Sequence, residues 1–116
     1  MATIRITNLR LRTVIGANDW ERDIKQDVVL NITITFDAKK SRATDSLEDT
    51  IDYKSLSKAI IQQVESSSYY LLERLADAVL EIIMNDNRVQ TATVRIDKPG
   101  ALRFADSVSL ELSQVR

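Results

Sequence analysis

Between Val28 and Phe36 apolar and polar residues alternate almost without fault. Val28, Leu30, Ile32, Ile34 and Phe36 fall on one face, with Asn31, Thr33 and Thr35 on the other. A period of two over this length is the mark of a half-buried antiparallel strand, and it excludes a helix here. Three more stretches carry the same signal. Ile4 to Val14 alternates with one slip near Asn8-Leu9, the mark of a β-bulge. Val89 to Asp97 sets Ala92, Val94 and Ile96 against Thr91, Thr93 and Arg95. Val108, Leu110 and Leu112 alternate with Ser109, Glu111 and Ser113.

Between the two strand pairs the period changes. Asp52 is a natural N-cap for a helix from Tyr53 to Glu65, with Leu56, Ala59, Ile60, Gln63 and Val64 along one stripe. Ser66-Ser67-Ser68 interrupts it. A second helix, from about Tyr70 to Asn85, carries Leu72, Leu75, Ala76, Val79, Ile82 and Ile83 on one face. The turn-rich segment from Gly16 to Asp27 and the polar segment from Ala38 to Thr50 read as loops. The order is β-β-α-α-β-β, an α+β class with one antiparallel sheet and two helices on one face. At 116 residues, with no internal boundary, residues 1–116 read as a single domain. Neither outer strand contains a proline to protect its edge, so pairing between subunits is expected to close the sheets into a barrel.

Composition narrows the chemistry. The formal charge is −1, with no basic field of the kind that holds nucleic acid. No apolar run is long enough to span a bilayer and Met1–Arg10 has no signal-peptide pattern, so a cytoplasmic location and no membrane partner are expected. There is no cysteine and no histidine. A thiol nucleophile is excluded, and the usual neutral-pH acid/base and transition-metal ligand is missing. Proton transfer here must use lysine, carboxylate, tyrosine or ordered water.

The corner Asp97-Lys98-Pro99-Gly100-Ala101-Leu102-Arg103 holds the sole proline and one of two glycines. It places Lys98 at a strand end. Lys98 is either a solvated turn lysine or an acid/base and electrostatic group tuned by its neighbours. Glu73, in the first turn of the second helix, either favours the helix dipole or accepts two N–H groups from a planar heterocycle, with Leu71-Leu72 as apolar wall. Tyr53 is a packing residue or a ligand platform. Glu21, beside Trp20, is a solvated loop acid or a partner for Lys98 at a shared corner. Arg10, Arg12, Arg22 and Arg103 are scattered surface charge or the makings of an anion site. There is no phosphate-binding glycine loop of either common type.

The combined motifs carry a resemblance. They are the opening Ile4-Arg5-Ile6-Thr7-Asn8-Leu9-Arg10-Leu11-Arg12-Thr13-Val14-Ile15-Gly16, Gln26-Asp27-Val28, Asp52-Tyr53, Leu71-Leu72-Glu73, and Lys98 followed by Ala101 through Ser109. Along nearly its whole length the chain resembles the dihydroneopterin aldolase family, most of all the branch that epimerises dihydroneopterin triphosphate. The run Leu102–Ser109 looks like the epimerase branch. Gly16–Glu21 and Lys98–Ala101 look more like the aldolase branch. The resemblance implies the tunnelling fold, with four subunits closing a barrel and two barrels stacking as an octamer. It implies a small-molecule pterin substrate, no metal, no cofactor and no Schiff base. Glu73, with Leu72, is implied as the pterin anchor and Tyr53 of an adjoining subunit as the residue stacked on the ring. Lys98 and Glu21 are implied at the reactive end, with ordered water. Arg103 is the first candidate to hold a triphosphate, and Arg22 or Lys25 the next. Two other classes remain open on the residues alone: a non-catalytic module holding a pterin- or purine-like ring, and a structural oligomer with no ligand.

Overall fold

A computed structural model describes the whole chain, Met1–Arg116. Strand β1 is Ala2–Thr13, β2 Gln26–Phe36, β3 Val89–Pro99 and β4 Ser107–Val115. Helices α1 (Lys39–Thr44), α2 (Tyr53–Glu65) and α3 (Leu72–Met84) lie between β2 and β3. All four strands pair antiparallel in the order β1-β2-β3-β4. The expected order of strands and long helices holds, with a 3-10 turn at Asp19–Asp23 in the β1–β2 connection read as loop, and one added α-helix.

The addition is α1. The segment from Ala38 to Thr50 has no amphipathic period, yet it forms a short helix and a 3-10 turn at Leu47–Asp49. Local polar contacts make it, not burial, which is why periodicity is blind to it. The Asp37 carboxylate accepts from the Lys39 N–H at 2.9 Å, and Asp45 ends the helix at φ 56°. Arg88 then holds the segment down by donating to the Glu48 carbonyl at 2.8 Å and the Thr50 carbonyl at 3.0 Å.

The sheet sorts its residues as the alternation requires. Ile4 and Ile6 of β1 lie opposite Ile34 and Ile32 of β2, which lie opposite Ala92 and Val94 of β3. At Asn8 the backbone turns to φ 54° and the register shifts between Ile6 and Leu9. The extra residue keeps Leu9 and Leu11 on the apolar face. Asn31 locks the bulge: its side-chain oxygen accepts from the Asn8 N–H at 2.9 Å, and its amide donates to the Asn8 side chain at 3.2 Å.

Against that face α3 packs Leu75, Ala76, Val79, Leu80 and Ile83, and α2 packs Ile60 and Val64, all fully buried. Each of the valine, leucine and isoleucine side chains among them contributes about 1.5–3 kcal/mol relative to exposure. The stripe on α2 is narrower than its spacing predicts, because Ala59 faces solvent and Leu56 is only half-buried. The opposite sheet face is polar and uncovered. The chain measures 52 × 25 × 21 Å, with a radius of gyration of 15.4 Å. A compact domain of this length has roughly 13 Å. The excess reflects an open sheet with β1 and β4 as free edges. No helix is long and apolar enough to cross a membrane.

Candidate active site

The β1–β2 connection turns at Gly16, φ 132°, a conformation open to glycine. A side chain there would also overlap the carboxylate of Glu21. Glycine at this position therefore lets Glu21 fold back under the connection, where it is 3% exposed. Its carboxylate is fully engaged. One oxygen accepts from the Asn18 side-chain amide at 2.8 Å and the Asn18 backbone N–H at 3.2 Å. The other accepts from Gln26 Nε2 at 2.9 Å and from Lys98 Nζ.

Lys98 lies within β3, which runs on to Pro99 instead of stopping at Asp97. It follows Ala92, Val94 and Ile96 in step, so it is a charge in an apolar register, directed under the helices. Its side chain is only 13% exposed. The solvated readings of Lys98 and Glu21 therefore fail: they are a buried ion pair joining positions 77 residues apart. Lys98 makes no other hydrogen bond, which leaves two ammonium N–H groups uncommitted.

Burial pushes the Glu21 carboxyl up, but the Lys98, Gln26 and Asn18 hydrogen bonds outweigh it and hold the group at about 2, against an ordinary 4.5. Glu21 is a fixed anion near neutrality and cannot serve as a general acid there. The stability it confers is present above about pH 4.5 and is lost as pH falls towards about 2. We expect a difference on the order of 3 kcal/mol across that window. Unfolding curves of wild type and Glu21→Gln between pH 5 and 2 check this. The wild type should lose more stability on acidification, and parallel curves would refute the assignment.

Next to this pair lies the α2–α3 connection. Thr13, fully buried, bonds the Ser67 carbonyl at 3.1 Å, and the Gly16 N–H donates to the Tyr69 carbonyl at 3.2 Å. The connection delivers Leu72 and Glu73 at the start of α3. Glu73 is exposed and its carboxylate makes no hydrogen bond or ion pair within the chain. Leu72 is half-buried against the core. Glu21, Lys98, Leu72 and Glu73 thus share one end of the sheet.

Tyr53 does not share it. It begins α2 at the opposite end, beside Ile4, Ile6 and Phe36, in a groove of about 560 Å³. The helix then runs about 20 Å before its chain reaches Thr13. Within one chain Tyr53 and the Lys98 corner therefore stand apart, because the helix axis lies along the sheet. Arg103 is exposed in the β3–β4 loop, its guanidinium 5.3 Å from the Phe104 ring. Arg22 is not a free cation: its terminal nitrogens donate to three backbone carbonyls. Sequence reasoning gave no role to Asn18 or Gln26, both of which hold Glu21. The signal for Lys98 was present in its register.

The sequence model of the dihydroneopterin aldolase family matches residues 4–113. The chain belongs to this family. It is 47% identical over 115 residues to the dihydroneopterin triphosphate 2'-epimerase of Escherichia coli K12, covering 99% of this chain and 96% of that one. The corresponding epimerase of Pseudomonas aeruginosa is 43% identical, covering 97% and 92%. Two solved dihydroneopterin aldolase structures superpose closely. That from Vibrio cholerae has a TM-score of 0.93 at 34% identity, covering 100% and 98%. That from E. coli, in complex with neopterin, has 0.91 at 28% identity, covering 98% and 99%. As a dihydroneopterin aldolase family member the chain is an enzyme with the tunnelling fold, and its β-β-α-α-β-β core is the common one.

Proposed function

We propose that this enzyme is a dihydroneopterin triphosphate 2'-epimerase that works by retro-aldol and aldol steps at C1′–C2′ of the pterin side chain. The observation that carries this is the 47% identity to an epimerase over nearly the full length, against 28% to the E. coli aldolase of similar fold.

In this reading Glu73, unpaired in the chain, accepts N–H groups of the pterin ring, with Leu72 as part of the wall. Lys98, held by Glu21, presents its free N–H groups to an ordered water at the reactive end. That water takes the proton of the 2′-hydroxyl. The C1′–C2′ bond then breaks, its electron pair moving into the C=N bond of the reduced ring to give an enamine and an aldehyde fragment. If the aldehyde turns its other face before the enamine attacks again, C1′–C2′ reforms with C2′ inverted. If the enamine is protonated first, the products are 6-hydroxymethyl-dihydropterin and the aldehyde, the aldolase outcome. The triphosphate stays on the aldehyde fragment, so a cation that holds it favours re-addition. Arg103 is the candidate, with Lys25 second. Arg22 is otherwise engaged.

We further propose that Tyr53 reaches the site from a neighbouring subunit. Within one chain it lies at the far end of α2, and the free edges of β1 and β4 are suited to strand pairing in a tetrameric ring, with two rings making an octamer. The test of function is product analysis, with purified protein given dihydroneopterin and its triphosphate separately. The expected main product is the inverted triphosphate, with little hydroxymethyl-dihydropterin from either substrate. Rapid release of hydroxymethyl-dihydropterin from the unphosphorylated compound would instead make it an aldolase, the reading that Lys98-Pro99-Gly100-Ala101 favours.

A further inference from the structure

We infer that Arg22 is a positioning residue that sets the distance between the two halves of the site: the Lys98–Glu21 pair and the Glu73 end of α3. It follows Glu21 directly in the chain. Its Nη1 donates to the Gly16 carbonyl at 2.8 Å and to the Tyr69 carbonyl at 3.0 Å, and its Nη2 donates to the Ser68 carbonyl. Its guanidinium also lies over the Tyr70 ring, 3.9 Å from the centroid. Gly16 belongs to the connection that buries Glu21. Ser68, Tyr69 and Tyr70 belong to the connection that leads into Leu72 and Glu73. One planar cation therefore bridges the two connections.

Arginine suits this place for a physical reason. Its fork presents several donors in one plane and its face stacks on an aromatic ring, whereas lysine offers a point charge with neither property. Arg22 forms no ion pair, so its charge is not answered by a carboxylate; carbonyl dipoles and the Tyr70 ring surround it. The bridge leaves the reacting groups themselves untouched. It acts through Glu21 on Lys98 and through the loop on Glu73. A substrate gripped by its ring at Glu73 meets Lys98 at the right place only when that spacing is kept, and a shift of about 1 Å can cost a hundredfold in rate.

This rests on the epimerase reading above, and the test separates the two. Wild type, Arg22→Ala and Arg22→Lys are compared for turnover of dihydroneopterin triphosphate per active site, for thermal stability, and for affinity towards 6-methyl-7,8-dihydropterin, which has the ring but no chain to position. Both variants should lose kcat by about tenfold to a hundredfold. Ring affinity should change little, and added guanidinium ion should restore part of the turnover of Arg22→Ala. Retention of kcat within about twofold overturns the inference, since mispositioning carries a rate penalty. So does a parallel loss of kcat, ring affinity and stability that guanidinium does not relieve, which is what a plain loop staple predicts. A wild type without turnover of the triphosphate overturns the epimerase reading itself and this inference with it.

Discussion

Lys98→Ala is expected to lower turnover by about a thousandfold, the range lost when a positioned acid/base group is removed, while neopterin affinity stays within a few fold. The split follows from the geometry. Lys98 Nζ hydrogen-bonds only to Glu21 within the chain, and in the proposed mechanism its remaining donors orient water. Glu73, the proposed ring anchor, is on another element, α3, and forms no ion pair with Lys98. Steady-state kinetics with a separate neopterin titration measure the two quantities. Equal losses in both would sink the assignment. The single variant also leaves the buried Glu21 without its cation, which costs about 3–5 kcal/mol. The double variant Glu21→Gln, Lys98→Met removes both charges, so it should regain stability and remain inactive. Mixing Lys98→Ala chains with Tyr53→Ala chains, each impaired alone, should regenerate sites with both groups intact if Tyr53 comes from a neighbour; random assembly in a ring yields about a quarter.

Glu73→Ala is expected to weaken neopterin binding by about a hundredfold or more, with little change in thermal stability. Hydrogen bonds to a charged group are worth about 1.5–3 kcal/mol each, and the pterin edge offers two N–H groups to one carboxylate. The fold should hardly notice, because Glu73 is exposed and unpaired in the chain. Its loss costs only the favourable placement of an acid at a helix start, about 0.3–1 kcal/mol. Glu73→Gln keeps one acceptor and should fall between. Calorimetric titration of neopterin onto the three proteins decides it, and unchanged affinity in Glu73→Ala would move the ring anchor elsewhere.

The fold was legible because its signals are local. Alternation at Val28–Phe36 and Val89–Asp97 is a property of neighbouring residues, as is the helical spacing of Leu75, Ala76, Val79 and Ile83. Even the bulge at Asn8 showed as a slip in period. Helix α1 was not legible, because it buries nothing and starts on a contact with Asp37 that no periodicity records, while Arg88 holds only the segment after it. Family motifs named the candidate site residues, but they did not say what surrounds them.

By itself, then, the sequence determined the strands, the two long helices, which face of each is apolar, and the exclusion of histidine and cysteine chemistry. Only the tertiary structure decided that Glu21 is buried beneath Gly16 and held as an anion by Lys98, Gln26 and Asn18. It also decided that Arg22 bridges two connections, and that Tyr53 stands at the opposite end of the sheet from Lys98. The physical reason is one of range. An apolar side chain needs only the right face, which the backbone period supplies. A charge needs a specific partner at hydrogen-bond distance, and that partner is brought by chain closure over tens of residues.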